Sequence, residues 1–233
     1  LETNQGLVLI DTGLGIQDYL HLKKRLGSMI SRLGSIQHNL ALTAVEQIQK
    51  LGFKSADVKH ILVTHLDFDH AGGIADFPQA MVHVLSSEFN ATQNFNYKNK
   101  IRYKSEQLTQ HRYWNFIEPA FGASWYHFSK VQGFKLFQDE ILMIPLLGHS
   151  AGHCGIAIRY KGHWILFCGD AYYSHQQLNP STKLPALALT ERVFANDNLK
   201  RIESLKQIQL LAKQQPEIEI FCAHDPIEFR RYL

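Results

Sequence analysis

The sequence predicts a mixed α/β fold in which two mostly antiparallel β-sheets are flanked by helices. Short apolar runs fall into two groups, one within residues 7–85 and one within 134–222, and helical periodicity lies between the groups and near the end. The 233-residue length and 45 % hydrophobic content allow one large domain over residues 1–233, and no break in composition demands a second. No internal repeat or low-complexity segment is visible.

The first strand is expected at Leu7–Ile10, ended by the turn Asp11-Thr12-Gly13. It has the form of a hairpin's second arm, so the first arm is expected upstream of residue 1. From Leu14 to Leu40, Leu26, Met29, Ile30, Leu33 and Ile36 recur at helical spacing, while Gly27 and Gly34 weaken a continuous helix. Thr43 to Leu51 is a clearer helix, closed by Gly52. Ser55 offers a cap before a strand over His60–Thr64, and Met81–Leu85 alternates as a strand should. Eleven aromatic residues crowd between Phe89 and Phe128 with little period, which fits a locally packed helical insertion and is compatible with a substrate wall. Strands follow at Phe134–Phe137, Ile141–Leu147, Gly155–Tyr160 and Trp164–Cys168. A helix over Leu199–Lys213 would place Leu199, Ile202, Leu205 and Ile208 on one stripe, and Ile218–Cys222 is the last strand.

A formal net charge of +3 leaves no broad basic face for nucleic acid; Lys23, Lys24, Arg25 and Arg32 make a local cluster of the kind a solvated face carries. No apolar stretch is long enough to span a bilayer, so no membrane partner is expected. Cys154, Cys168 and Cys222 are odd in number and hold no C-x-x-C pair, which argues for a reducing compartment, the cytoplasm. The apolar stretch 14–40 offers a contact for a homodimer.

The densest chemistry lies in Thr64-His65-Leu66-Asp67-Phe68-Asp69-His70-Ala71-Gly72-Gly73, where four metal-competent side chains fall within six positions after the apolar run Ile61-Leu62-Val63. Crowding imidazoles and carboxylates is costly in a folded chain unless a cation gathers them. Three further candidates stand where later strands end: His149 in Gly148-His149-Ser150-Ala151-Gly152-His153, Asp170 after Cys168-Gly169, and His224 after Cys222-Ala223. His153 is expected to hydrogen-bond behind the ligands rather than to join them. His83, His111, His127, His163 and His175 have no supporting pattern, and Cys222 fits a buried structural thiol.

In this order the residues resemble those of the metallo-β-lactamase fold superfamily, over essentially the whole chain. That family's H-x-H-x-D-H pattern and its later single His, Asp and His ligands fall on His65, Asp67, Asp69, His70, His149, Asp170 and His224. The Asp11-Thr12-Gly13 turn and the 148–153 segment resemble the family's early turn and its G-H-T-x-G-H element. The resemblance implies an αββα sandwich, with the two sheets face to face and helices on the outer faces. It also implies two divalent metal ions, most often zinc: His65, Asp67 and His149 would hold one, Asp69, His70 and His224 the other, with Asp170 and a hydroxide bridging. The departure is Asp67, where the pattern has His. A harder oxygen donor there would favour iron or manganese more than a three-histidine site does, and would acidify bound water less.

The superfamily hosts several hydrolases and some iron oxygenases, so the fold does not choose a reaction. Tyr173, in Gly169-Asp170-Ala171-Tyr172-Tyr173, resembles a substrate-contacting tyrosine of the N-acyl-homoserine lactone lactonase branch; Phe68 and the ending Ala223-His224-Asp225 resemble that branch too. The implied activity is hydrolysis of an ester-type ring in a small-molecule substrate, with Asp69 and Tyr173 as the catalytic side chains. A thioesterase or phosphodiesterase on the same scaffold, a di-iron or mononuclear-iron oxygen-using enzyme, and a non-catalytic metal-binding module are the alternatives.

Overall fold

A computed structural model of the chain describes residues 1–33, 36–94, 96–119 and 124–232. Contacts divide it into two compact units, Leu1–Val84 with Phe89–Phe116, and Leu85–Glu88 with Ile117–Leu233. Each has its own sheet and its own apolar core.

In the first unit five strands lie in sequence order: β1 (Glu2–Thr3), β2 (Gly6–Ile10), β3 (Val58–Leu62), β4 (Met81–Leu85) and β5 (Trp114–Ile117). Glu2 and Thr3 pair antiparallel with Leu7 and Gly6, so β2 is the second arm of a hairpin, as expected, and part of its first arm lies within the chain. β2–β3 and β3–β4 pair in parallel, so this sheet carries more parallel pairing than the apolar runs suggest. That pairing needs crossover connections, and helices supply them. After β2 come α1 (Ile16–Leu20), α2 (Leu22–Leu26), α3 (Ser28–Leu33) and α4 (Ala44–Lys50). Gly27, at φ 90°, separates α2 from α3, as its helix-breaking character predicts; Gly34 lies outside the described residues. Thr43 caps α4 by accepting from Glu46 N–H at 3.4 Å. The short α5 (Phe68–Ala71) follows β3, and α6 (Ser86–Thr92), α7 (Tyr97–Arg102) and α8 (Ser105–Leu108) form the helical insertion before β5. The core beneath centres on Val58, Ile61, Val63, Leu66, Phe77 and Val82, all fully buried.

His83, on β4, is embedded in this unit. It accepts from Asn115 Nδ2 at 2.9 Å through Nδ1 and donates through Nε2 to His60 Nδ1 at 3.0 Å, which fixes a neutral ring. Burial first, and then His60, depress its pKa to about 4.

In the second unit β6 (Ser124–Trp125) and β7 (Phe128–Ser129) form a small hairpin, and the main sheet runs β12-β11-β10-β9-β8. Its strands are β8 (Gln132–Gly133), β9 (Ile141–Pro145), β10 (Cys154–Tyr160), β11 (His163–Phe167) and β12 (Glu219–Phe221). Pairing is antiparallel except for β11–β12, as expected. The strand expected at Phe134–Phe137 is a turn of 3-10 helix instead: Phe134 and Phe137 are both buried, a spacing of three that a strand cannot place on one face. α9 (Pro185–Phe194), α10 (Asn198–Gln214) and α11 (Pro226–Phe229) complete the unit. The buried face of α10 is Arg201, Ser204, Ile208 and Leu211, while Leu199, placed on the apolar stripe by periodicity, is 80 % exposed. Polar partners turn the helix: Arg201 Nη1 meets Glu191 Oε2 at 3.0 Å, and Ser204 Oγ donates to Leu147 O at 2.8 Å. Gly148 allows this closeness, since at φ 122° any Cβ would run into the backbone nitrogen of Arg201.

Two consequences are measurable. Gly148→Ala should cost more than about 3 kcal/mol, from strain plus the collision, and lower the thermal midpoint accordingly. His83, whose folded pKa lies below its unfolded one, should make stability fall as pH drops from about 6.5 towards 4, by on the order of 3 kcal/mol. Urea midpoints across that window should show the loss, and His83→Gln should flatten it.

Candidate metal centre

Asp11 leaves β2 with a left-handed backbone, φ 53°, which aspartate tolerates better than most residues. Its Oδ1 accepts from Thr64 N–H at 2.7 Å; its Oδ2 accepts from the Thr64 hydroxyl and from His70 Nδ1, each at 2.8 Å. The hydroxyl, its proton given to Asp11, accepts in turn from His65 Nδ1 at 2.9 Å. Both imidazoles are therefore Nδ1–H tautomers and present Nε2 as the coordinating atom. The two rings lie 4.1 Å apart, and His65 and His70 are 0 % and 4 % exposed. Asp67 Oδ2 stands 3.3 Å from His65 Nε2, and coordinating atoms of Asp69 and His70 lie within 4.8 Å. The four side chains of the dense segment thus form one cluster, on the turn and short helix that follow β3.

Arg102 adds a charge to this cluster that local sequence does not reveal. Its Nη1 donates to Asp67 Oδ2 at 2.5 Å from a side chain only 9 % exposed. Counting carboxylates along the chain treats Asp67 as a full negative charge, whereas here it is paired.

In the second unit Asp170, beyond β11, faces two histidines. Its Oδ2 is 3.6 Å from His149 Nε2 and its Oδ1 is 3.2 Å from His224 Nε2. His153 holds the loop rather than facing outward: Nδ1 donates to Leu146 O at 2.8 Å, and Nε2 accepts from Asp170 N–H at 2.9 Å. The His149 loop is pinned by buried Glu88, whose Oε2 accepts from Ser150 Oγ and Gly152 N–H, each at 2.7 Å. The Tyr173 hydroxyl lies 3.4 Å from His149 Nδ1, and its ring meets that of His224 edge-on at 5.4 Å. Asp225 ties the His224 loop down. It caps α11 and accepts from His175 N–H at 2.6 Å and His175 Nδ1 at 2.7 Å. These hydrogen bonds outweigh its burial and hold its pKa near 2. Fully buried Glu228 accepts from the Tyr172 hydroxyl at 3.0 Å and from Cys222 N–H at 2.8 Å. Burial then raises the Cys222 thiol, so it is a structural group and no nucleophile.

Asp11, Arg102, Glu88 and Asp225 are the site residues that sequence reasoning missed. Asp11 left a signal as part of a turn, and Asp225 as part of the Ala223-His224-Asp225 ending; Arg102 and Glu88 left none. The donor chemistry suits divalent metal: buried imidazoles with fixed tautomers, carboxylates at their side, and a hydroxyl and a carboxylate holding the second nitrogen of His65 and His70.

A model of the metallo-beta-lactamase superfamily matches residues 1–213. The chain belongs to that superfamily. Among its curated superfamily relatives, a probable metallo-hydrolase of Mycobacterium tuberculosis is 34 % identical over 97 % of this chain and 73 % of its own length. An N-acyl homoserine lactonase of Bacillus cereus is 26 % identical over 97 % of this chain and 79 % of its own. A solved N-acyl homoserine lactone hydrolase, with N-hexanoyl-L-homoserine bound at its catalytic metal centre, superposes at a TM-score of 0.73 and 22 % identity. It covers 99 % of this chain and 81 % of that one, which shows the shared metallo-beta-lactamase fold. The chain is accordingly a metallo-hydrolase of mixed α/β fold. Among the described residues no helix is long and apolar enough to cross a membrane.

Asp11→Ala should weaken metal binding about 10–100-fold by releasing both ring tautomers. It should also cost about 1–3 kcal/mol through the donors left unanswered. Chelator competition and a melting curve of the metal-free protein would read the two effects separately.

Proposed function

We propose that the chain is a dinuclear metal-dependent hydrolase that opens an ester-type ring in a small-molecule substrate, a lactonase-like activity. On this reading His65, Asp67 and His149 would hold one ion and Asp69, His70 and His224 the second, with Asp170 shared between them. The observation that carries it is Asp170, whose two oxygens face two different histidines, with the Tyr173 hydroxyl beside one of them. Membership of the superfamily and the lactonases among the relatives support it.

Two divalent ions, zinc in the first instance and iron or manganese where Asp67 favours them, would supply a water activated at neutral pH and polarise the carbonyl. The chain's own groups do the rest. Tyr173 donates its O–H to the carbonyl oxygen as negative charge builds there. Asp69 takes the proton released by the attacking water and passes it to the departing alkoxide, so the ring opens to a hydroxy acid. A cavity of about 520 Å³ in the first unit is lined by Leu26, Phe89, Asn99, Tyr103, Lys104 and Leu108 among others; no metal-competent side chain of the proposed centre is in its wall, and it has no part in this reading.

A panel of lactone, thioester, phosphodiester and β-lactam substrates, run with metal-loaded protein, tests the reading. Lactone turnover should dominate, vanish on chelation and return with zinc. Tyr173→Phe should lower kcat on the lactone about 10²–10³-fold with metal content unchanged. Full activity in that variant removes Tyr173 from the reaction, and a metal-loaded wild type inert to every lactone removes the lactonase reading.

A further inference from the structure

Arg102 is a strong cation whose charge meets the metal-competent cluster, and it reaches there from a distant element. It closes α7, whose start is fixed by Asn96 accepting from Asn99 N–H at 2.9 Å. Asn99 in turn donates through Nδ2 to Ala91 O at 2.8 Å and Asn94 O at 2.9 Å, which moors the helix to the chain before it. The next residue, Tyr103, is 8 % exposed and packed in the first unit's core. Arg102 is thus mounted between a capped helix and a core anchor, with little freedom to swing away from Asp67. Burying a guanidinium beside a group meant for a cation is unfavourable unless the pairing serves that group.

We propose that Arg102 is a positioning residue for the Asp67 ligand. It holds Oδ2, the oxygen that also faces His65 Nε2, and offsets the carboxylate charge, so that the Asp67–Arg102 pair offers the ion a ligand of lower net charge than a bare aspartate. This rests on the metal-centre reading above. It explains how an aspartate stands where the family pattern has histidine without adding net negative charge. It also carries a consequence for swapping the residue: an imidazole at position 67 would be neutral by itself and would face the Arg102 guanidinium without the Asp67 carboxylate to answer it.

Metal affinity, measured by chelator competition on the full chain with zinc alone, tests the pairing without reference to turnover. Arg102→Met keeps the bulk and removes the charge. It should bind zinc about tenfold tighter, because the ion then meets an unscreened carboxylate, while the metal-free protein melts earlier. Asp67→His should bind about tenfold or more weaker, and the Asp67→His, Arg102→Met double variant should return to wild-type affinity. Arg102→Lys, with the charge retained, should stay near wild type. Unchanged affinity in Arg102→Met, or an Asp67→His variant that binds as well as wild type, overturns the inference while the metal centre stands. A folded wild type that binds no zinc, iron or manganese overturns both, and the pair is then an ordinary buried salt bridge.

Discussion

The constraint on which the first cluster depends is the double grip of Asp11. One carboxylate, held in a left-handed turn at the end of β2, binds the backbone and hydroxyl of Thr64 and the ring of His70, and through that hydroxyl it governs His65. β2 and β3 are parallel neighbours, so the turns leaving them emerge at the same end of the sheet. That topology places residue 11 beside residues 64–70, and no local feature of either segment could do so. The metal-competent atoms are selected by hydrogen bonds made behind them, before any ion is considered.

The second unit uses the same logic with different parts. Asp170, His149 and His224 each stand on a loop just past a strand, and each loop has a separate anchor: His153 for Asp170, Glu88 for His149, Asp225 for His224. Buried polar groups of this kind are expensive unless fully answered, and here they are answered by backbone N–H groups of the loops themselves. Rigidity at the donor atoms is therefore a property of the strand ends and their buried acids, and the loops add little to it.

Much of this could be read from the chain, and the reasons are local. A polar residue just after an apolar run marks a strand exit, which is why His65, Asp67, Asp69, His70, His149, Asp170 and His224 stood out. Strand and helix positions followed from periodicity wherever burial is apolar, as in β4, β10 and α4. Periodicity failed where polar partners set the orientation. α10 is turned by Glu191 and Leu147 towards Arg201 and Ser204, and Phe134 and Phe137 share a face only through a 3-10 turn. α9 escaped notice because its buried contact is Glu191, in an otherwise exposed helix. Arg102 was illegible for a simpler reason. Its partner lies 35 residues earlier, and nothing in Asn-Tyr-Lys-Asn-Lys-Ile-Arg sets that arginine apart from its basic neighbours.

Glu228 shows how far this dependence extends along the polypeptide. It sits on the last short helix, yet it answers the hydroxyl of Tyr172 and the amide of Cys222, next to the loops bearing Asp170 and His224. The turn at Pro226–Phe229 therefore behaves as a keystone. Losing the carboxylate of Glu228 would unlock the two loops from behind, although it would touch none of the groups that face a ligand.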